Sequence, residues 1–382
     1  MKNKKKILIL IDWYLPGTNA GGPVRSIHAL VMHLRGEFDF YILTTNTDLG
    51  EIEPYPEIQP NEWVEREGYH VKYLSKERVN KQVLADEMCN PMYHRIYVNS
   101  LYSKWFSVVA LRIAKKNKIG QKIILAPRGM LGKGAMAIKS IKKRVFVSIA
   151  KTLGWFNGIT WHATSDHEKN DIYAKIGENA KVMVASNLSW IKVQEKVQKK
   201  KEPGRLNLFF LSRIARVKNL HLALEILKDM PAGNEITYDL YGPNEDSGYW
   251  EECQRIIETL PAHISVSYKG TVEHEKLPEV LKNYHALFMP TSNENFGHSI
   301  IESLANGCPV LISDQTPWRN LMNKKAGHDL PLNDKSKFAE VISEWTNFSQ
   351  SDWNIWEEGA LQLAHDFLNN TDAKKQYLKL FE

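Results

Sequence analysis

Cysteine is scarce. Cys89, Cys253 and Cys308 are the only three in 382 residues, and they form no Cys-x-x-Cys pair and no metal-ligand spacing with a histidine. This excludes a disulfide scaffold and a zinc site, and it fits a reducing compartment. Long apolar runs are also missing: no stretch approaches the roughly 20 residues of a membrane span. The basic start Lys2–Lys6 followed by Ile7–Ile11 mimics a secretory leader, but the run stops at Asp12 and reads as a buried first strand. These absences predict a cytoplasmic protein. No Gly-x-Gly-x-x-Gly follows that strand, which argues against a dinucleotide oxidoreductase. No nucleic-acid motif is present, and the aromatics do not interleave with the lysines as a stacking platform would, so no nucleic-acid partner is expected. The eleven tryptophans are scattered with no repeat behind them.

What is present is ordinary globular composition, 43% apolar and 25% charged, in a chain long enough for two full cores. The net charge of +6 is gathered in clusters at Lys2–Lys6, Lys115–Lys118, Lys139–Arg144 and Lys196–Lys201. Such clusters are either solvated faces or contacts for a polyanionic acceptor or an anionic membrane. Apolar runs alternate with helical periods throughout, which predicts α/β architecture with mostly parallel sheets. The first set has strands at 6–11, 38–44, 70–74, 96–99, 123–126, 160–164 and 182–186, with helices at 23–35, 102–116, 135–153 and 166–176. The polar, basic stretch 187–204 reads as a linker between domains 1–186 and 205–350. The second set has strands at 206–211, 236–241, 264–269, 286–289 and 310–313, helices at 218–230, 249–260 and 276–283, and a helical region from Lys335 onward.

The most informative stretch is Thr291-Ser-Asn-Glu-Asn-Phe-Gly-His-Ser-Ile-Ile-Glu-Ser-Leu-Ala-Asn-Gly-Cys-Pro-Val310. A buried strand precedes it. After Gly297 the apolar positions Ile300, Ile301, Leu304 and Ala305 form one helix face, and Ser299, Glu302, Ser303 and Asn306 the other. A strand, a glycine loop and a helix N-terminus together favour phosphate. Glu294 on the loop and Glu302 on the helix can accept bonds from sugar hydroxyls. Phosphate and diol together indicate a nucleotide sugar. The run resembles the Glu-x7-Glu motif of retaining GT-B glycosyltransferases, specifically family 4, of the bacterial surface-polysaccharide type. The resemblance covers the chain in length and layout, and its second half most closely.

That resemblance implies two Rossmann-like, doubly wound domains facing each other across a cleft, with acceptor on the first and donor on the second. It also implies a C-terminal segment, 351–382, that crosses back to the first domain. Arg213 and Lys218, at a strand end and five residues on, match the family's pair of cations on the donor diphosphate. A cation at a helix start opposes the helix dipole unless an anion is bound. Gly21 and Gly22, after the first strand, match a Gly-Gly turn approaching the donor phosphates. Glu294 is expected beside the transferred sugar, and Glu302 on the ribose diol. Asn295, Phe296, Gly297 and His298 complete the donor loop. Glycine turns at 241–244 and 269–272 are expected to line the nucleoside pocket by backbone.

Arg128 stands where several relatives have a histidine close to the acceptor. Always protonated, it cannot act as a general base. It is an acceptor-side candidate, binding phosphate or fixing its loop. His162 and His167 read as packing or surface residues, and Ser165 or Asp166 as a helix cap. The basic amphipathic segment 133–156 must cover a sheet, so its apolar stripe is read as packing there, with an anionic bilayer as the alternative. The expected reaction moves a hexose from a UDP- or GDP-sugar to a glycan acceptor on a lipid carrier. No Asp-x-Asp is present, so a metal-independent enzyme without cofactors is expected. A related sugar-nucleotide epimerase and a catalytically inactive nucleotide-binding subunit remain as alternatives.

Overall fold

The computed structural model describes residues 4–132, 136, 140–195 and 199–382. The chain divides into two units: 1–190 with 371–382, and 191–370.

The first unit is built on an eight-stranded sheet in the order β3-β4-β2-β1-β5-β6-β7-β8. Its strands are β1 (Lys5–Leu10), β2 (Phe38–Thr45), β3 (Trp63–Arg66), β4 (Tyr69–Leu74), β5 (Tyr93–Asn99), β6 (Ile123–Ala126), β7 (Thr160–Ala163) and β8 (Val182–Val184). All pairs are parallel except β3 with β4. Parallel strands covered on both faces need continuous apolar runs; Ile7, Leu8, Ile9 and Leu10 are accordingly fully buried. Helices α1 (Gly22–Leu34), α2 (Lys81–Met88), α3 (Ala110–Lys116), α4 (Ser140–Thr152) and α5 (Asp166–Ile176) connect them. The expected helix 102–116 begins instead as a π turn, Lys104–Val109. Of the expected helix 135–153, residues 135 and 137–139, with Lys139 of its basic cluster, lie outside the described residues, as do residues 133 and 134 of the amphipathic segment and Lys2–Asn3 of the first basic cluster. Val147 and Ala150 of α4 are buried, while Ile141, Val145, Ile149 and Leu153 are exposed, so the apolar stripe does not cover the sheet as expected.

The second unit carries a wholly parallel sheet in the order β11-β10-β9-β12-β13-β14. It comprises β9 (Arg205–Leu211), β10 (Glu235–Tyr241), β11 (Ile264–Gly270), β12 (Ala286–Met289), β13 (Val310–Ser313) and β14 (Gly327–Leu330). Its helices are α6 (Leu220–Lys228), α7 (Ser247–Ile257), α8 (Leu277–Leu281), α9 (His298–Ala305), α10 (Lys335–Asn347) and α11 (Gln350–Leu368).

Two boundaries differ from expectation. The stretch 187–204 is no free linker from Ile191 onward. Lys199 and Lys201 are buried, each 3% exposed. Lys199 Nζ donates to the Leu281 carbonyl at 3.0 Å and contacts Cys308 Sγ. Lys201 Nζ donates to the carbonyls of Glu202, Thr346 and Phe348, so it caps the C-terminal end of α10, where a cation complements the helix dipole. Burial nonetheless pushes its pKa down to about 8. Lys196–Gln198 lie outside the described residues. The second difference is at the C-terminus: α11 belongs to the second unit, and only α12 (Asp372–Phe381) returns to the first. There Tyr377, Leu380 and Phe381 are buried in the core.

Candidate functional site

Strand order locates a crevice in each unit. In the second, the chain winds outward from β9 through β10 and β11, then restarts on the other side with β12. Ligands of such sheets bind where the order reverses, at the carboxyl ends of the strands. Those ends belong to Ser212–Lys218 after β9 and Thr291–Gly297 after β12. Thr291 Oγ1, Ser292 N and Ser292 Oγ all donate to the Val217 carbonyl, at 2.9, 2.8 and 3.0 Å, and lock the two loops together.

Lys218 ends a 3-10 turn, Arg216–Lys218, and its ammonium meets Glu294 Oε2 at 2.6 Å. Both side chains are largely buried, 11% and 16% exposed. Burial acts to raise the Glu294 pKa. The Lys218 charge and hydrogen bond outweigh it and hold the carboxyl below the ordinary glutamate range. Glu294 Oε1 accepts from Asn295 N at 3.1 Å, and Glu294 N donates to the Gln315 carbonyl at 3.0 Å.

Gly297 is the N-cap of α9 in the left-handed region, φ 83°, and a Cβ there would lie 2.6 Å from Ile300 Cδ1. A side chain there would be strained by that backbone conformation and would crowd the Ile300 side chain. The helix has no side-chain cap bond and no acidic residue in its first turn, so its positive end faces the loop. Phe296 is clamped beneath by Trp318, whose indole Nε1 donates to the Phe296 carbonyl at 2.6 Å. His298 packs on the Phe296 ring, centroids 4.7 Å apart. Glu302 lies one turn into α9, 1% exposed, with Oε1 3.3 Å from His274 Nδ1. Arg213 is half-exposed and pairs with Glu245 Oε2 at 2.5 Å.

The predicted Arg213, Lys218, Glu294, Asn295, Phe296, Gly297, His298 and Glu302 thus all lie in the second unit, on the loops after β9 and β12 or on α9. His274 and Glu245 were missed. Both follow the glycine turns at 269–272 and 241–244, to which sequence reading gave backbone roles alone.

The first unit has its own reversal point, between β1 and β5. Gly21, φ 64°, caps α1 and Gly22 opens it, with Pro23 in the first turn. Asp12, also missed, stands just after β1 with its carboxyl 2.6 Å from the Ser103 hydroxyl; burial raises its pKa, against that bond. Arg128 is committed to the protein's own acceptors. Its Nε donates to Asn99 Oδ1 and one terminal nitrogen to Asn187 Oδ1, both at 2.6 Å, and the other to Tyr97 Oη at 2.9 Å. Of the two roles left open for it, the geometry displays loop fixing. His162 is fully buried between Tyr97 Oη and the Ala185 carbonyl, His167 is exposed, and Ser165 caps α5.

Residues 192–357 match the family model "Glycosyl transferases group 1". The chain is 27% identical over 191 residues to the UDP-N-acetylglucosamine–peptide N-acetylglucosaminyltransferase GtfA subunit of Streptococcus agalactiae, covering 46% of this chain and 35% of that one. It is 31% identical over 130 residues to the poly(glycerol-phosphate) alpha-glucosyltransferase of Bacillus subtilis, covering 31% and 18%. The matched region is about a third or less of these relatives' length. Among solved structures, Anabaena HepE in complex with UDP and glucose superposes with a TM-score of 0.71 at 15% identity, covering 98% of this chain and 99% of that one. Sucrose-phosphate synthase from Thermosynechococcus elongatus gives 0.71 at 14%, covering 99% and 98%. The chain has the GT-B fold, and its residues 192–357 are similar to the glycosyl transferases group 1.

Proposed function

We propose that the chain is a retaining, family 4 glycosyltransferase that moves a hexose from a nucleotide sugar, a UDP-sugar in the first instance, to a glycan acceptor. The observation that carries this reading is the buried Lys218–Glu294 pair beside the open N-terminus of α9, at the point where the strand order reverses. Lys218 and Arg213 neutralise the departing diphosphate, with backbone donors of Gly297 and the first turn of α9 beside them. No metal ion is required for that task. Glu302 accepts the ribose hydroxyls, and Glu294 holds the transferred sugar near its anomeric carbon. The acceptor oxygen attacks that carbon on the face the phosphate leaves. The carbon–phosphate-oxygen bond breaks, and the leaving phosphate takes the acceptor's proton, so no enzymic nucleophile is needed. A UDP donor is supported by HepE, described with UDP and UDP-glucose, and by the N-acetylglucosaminyltransferase name of GtfA. The acceptor proposed is a lipid-linked intermediate of a cell-surface polysaccharide, made at the inner face of the plasma membrane.

The direct test supplies UDP-glucose, an α-linked donor, and follows the anomeric proton of the sugar first released or transferred by NMR. The α anomer is expected. A β product contradicts retention, and nucleotide binding without any turnover contradicts catalysis.

A further inference from the structure

Arg213 already has an anionic partner. Its guanidinium Nη1 donates to Glu245 Oε2 at 2.5 Å. The two residues follow neighbouring strands, Arg213 after β9 and Glu245 after β10, and the backbone fixes how they meet. Ser212 N donates to the Tyr241 carbonyl and Ile214 N to the Pro243 carbonyl, both at 2.9 Å. Ile214, fully buried, also pairs with Asn244 in a parallel bridge. Gly242 lets the two loops come this close: a Cβ there would lie 2.0 Å from the Ser212 carbonyl oxygen. Strand pairing thus continues past the strand ends and presents the Glu245 carboxylate to the Arg213 guanidinium.

This pair opens more readily than Lys218–Glu294. Lys218 and Glu294 are largely buried, whereas the Arg213 and Glu245 side chains are 38% and 44% exposed. An ion pair in contact with water is weak. A diphosphate carries more charge than a carboxylate, and its oxygens match the guanidinium fork, so it binds Arg213 more strongly. The exchange does not strand Glu245 either. It stands just before Asp246, the N-cap of α7, where the positive end of that helix favours a carboxylate.

We propose that Glu245 is the counter-ion that the donor's diphosphate displaces from Arg213, and that it recaptures Arg213 when the nucleoside diphosphate leaves; this rests on Arg213 meeting the diphosphate, as proposed above. Glu245 is then a positioning residue that acts through Arg213. Its carboxylate offsets the positive charge of the empty site and holds the affinity for the nucleotide below the value Arg213 alone would give, so the product is retained less. A glutamate that only orients Arg213 toward phosphate would have the opposite sign, since its loss would weaken binding. Two neighbours carry the same charge without the same contact. Asp246 accepts from Tyr249 N at 3.0 Å in the α7 cap, and Glu252 pairs with Arg216 at 2.6 Å. Replacing Glu252 removes one negative charge nearby and leaves the Arg213 contact in place.

Calorimetry of the full chain with UDP and with GDP, at low and at high salt, tests the exchange. Glu245→Gln is expected to tighten the nucleotide that binds by about threefold or more at low salt, and the gain is expected to shrink as salt rises. Glu252→Gln is expected to leave the affinity unchanged. Adding Glu245→Gln to Arg213→Ala is expected to restore nothing, because the contact it relieves is already gone. Both glutamine variants are expected to keep the wild-type melting temperature. If wild type binds nucleotide and Glu245→Gln binds it equally or more weakly, the inference alone is overturned. Equal tightening by Glu252→Gln, or tightening that persists without Arg213, overturns it too, since either would be a general effect of charge. A wild-type chain that binds neither nucleotide overturns the donor-site reading, and the inference with it.

Discussion

Lys218 and Glu294 show how one residue pair joins stability to chemistry. Each is the other's counter-charge in a largely dry place. Replacing Lys218 with alanine leaves the Glu294 carboxylate without that partner, and a loss of roughly 1.5–3 kcal/mol in urea unfolding is expected. Transfer is expected to slow by about a hundredfold or more, as when one donor to a developing charge is removed. The pH dependence has a definite sign. Because the folded Glu294 pKa is held low, its contribution is present above the unfolded value, about 4.3. It is lost as pH falls through the lower folded value. The stability gap between wild type and Glu294→Gln should therefore narrow in acid below pH 4; a gap constant across that window would show that the pair does not perturb the carboxyl. The sequence placed both residues in the site but aimed Lys218 at phosphate and Glu294 at sugar. Their pairing, across 76 positions, depends on tertiary packing.

At the scale of elements, legibility followed burial. Strands β6, β12 and β13 coincide with their expected limits, because each is a short apolar run buried along its whole length. β3 and β14 escaped notice. Trp63-Val-Glu-Arg66 and Gly327-His-Asp-Leu330 have no apolar run, and they are strands because β4 and β13 offer them pairing edges. The buried lysines at 199 and 201 escaped for a related reason. Their partners are mainly backbone carbonyls, and a sequence does not show which carbonyls a fold leaves open. Two glycine-bearing turns set the site's shape. Gly297 is one; Gly242, φ 136°, is the other, where a Cβ would lie 2.0 Å from the Ser212 carbonyl oxygen. Gly297→Ala is expected to cost about 1–2 kcal/mol through its left-handed backbone and the contact with Ile300. It should weaken nucleotide binding more than Gly270→Ala, a positive-φ site with open space around its Cβ. Equal effects on binding, measured by calorimetry, would show that the α9 start is not the phosphate seat.

The whole molecule carries buried neutral imidazoles in both units. Burial lowers His162 to about 3, with the Arg128 charge adding to the effect. Burial likewise lowers His285 and His328 to about 4. Two of the rings are wired as neutral: His162 lies between Tyr97 Oη and the Ala185 carbonyl, and His285 Nδ1 accepts from Asn207 N at 2.8 Å while Nε2 faces the Lys200 carbonyl. The unfolded chain takes up these protons near pH 6.5, before the folded one does. Each imidazole thus removes up to about 1.4 kcal/mol per pH unit as pH falls from 6.5 toward 4. The melting temperature is expected to decline through that window before the carboxylates titrate. A flat profile from pH 6.5 to 4.5 would contradict the neutral assignment. The C-terminus gives a second prediction at this scale. Ending the chain at Asn370 removes Tyr377, Leu380 and Phe381 from the first unit's core, each worth about 1.5–3 kcal/mol of burial, and is expected to unfold that unit. Circular dichroism of the truncated chain would check it.

The measurement that bears most directly on the central claim is thermal unfolding with UDP, GDP, ADP and CMP, for wild type and for the Arg213→Ala/Glu302→Ala variant. A nucleotide at about a hundred times its dissociation constant adds about 2.7 kcal/mol to the stability of the state that binds it. UDP is expected to raise the melting temperature of wild type, and the rise is expected to disappear in the variant. A wild-type chain that shifts with none of the four nucleotides, or a variant that shifts as wild type does, would contradict the donor site at the ends of β9 and β12.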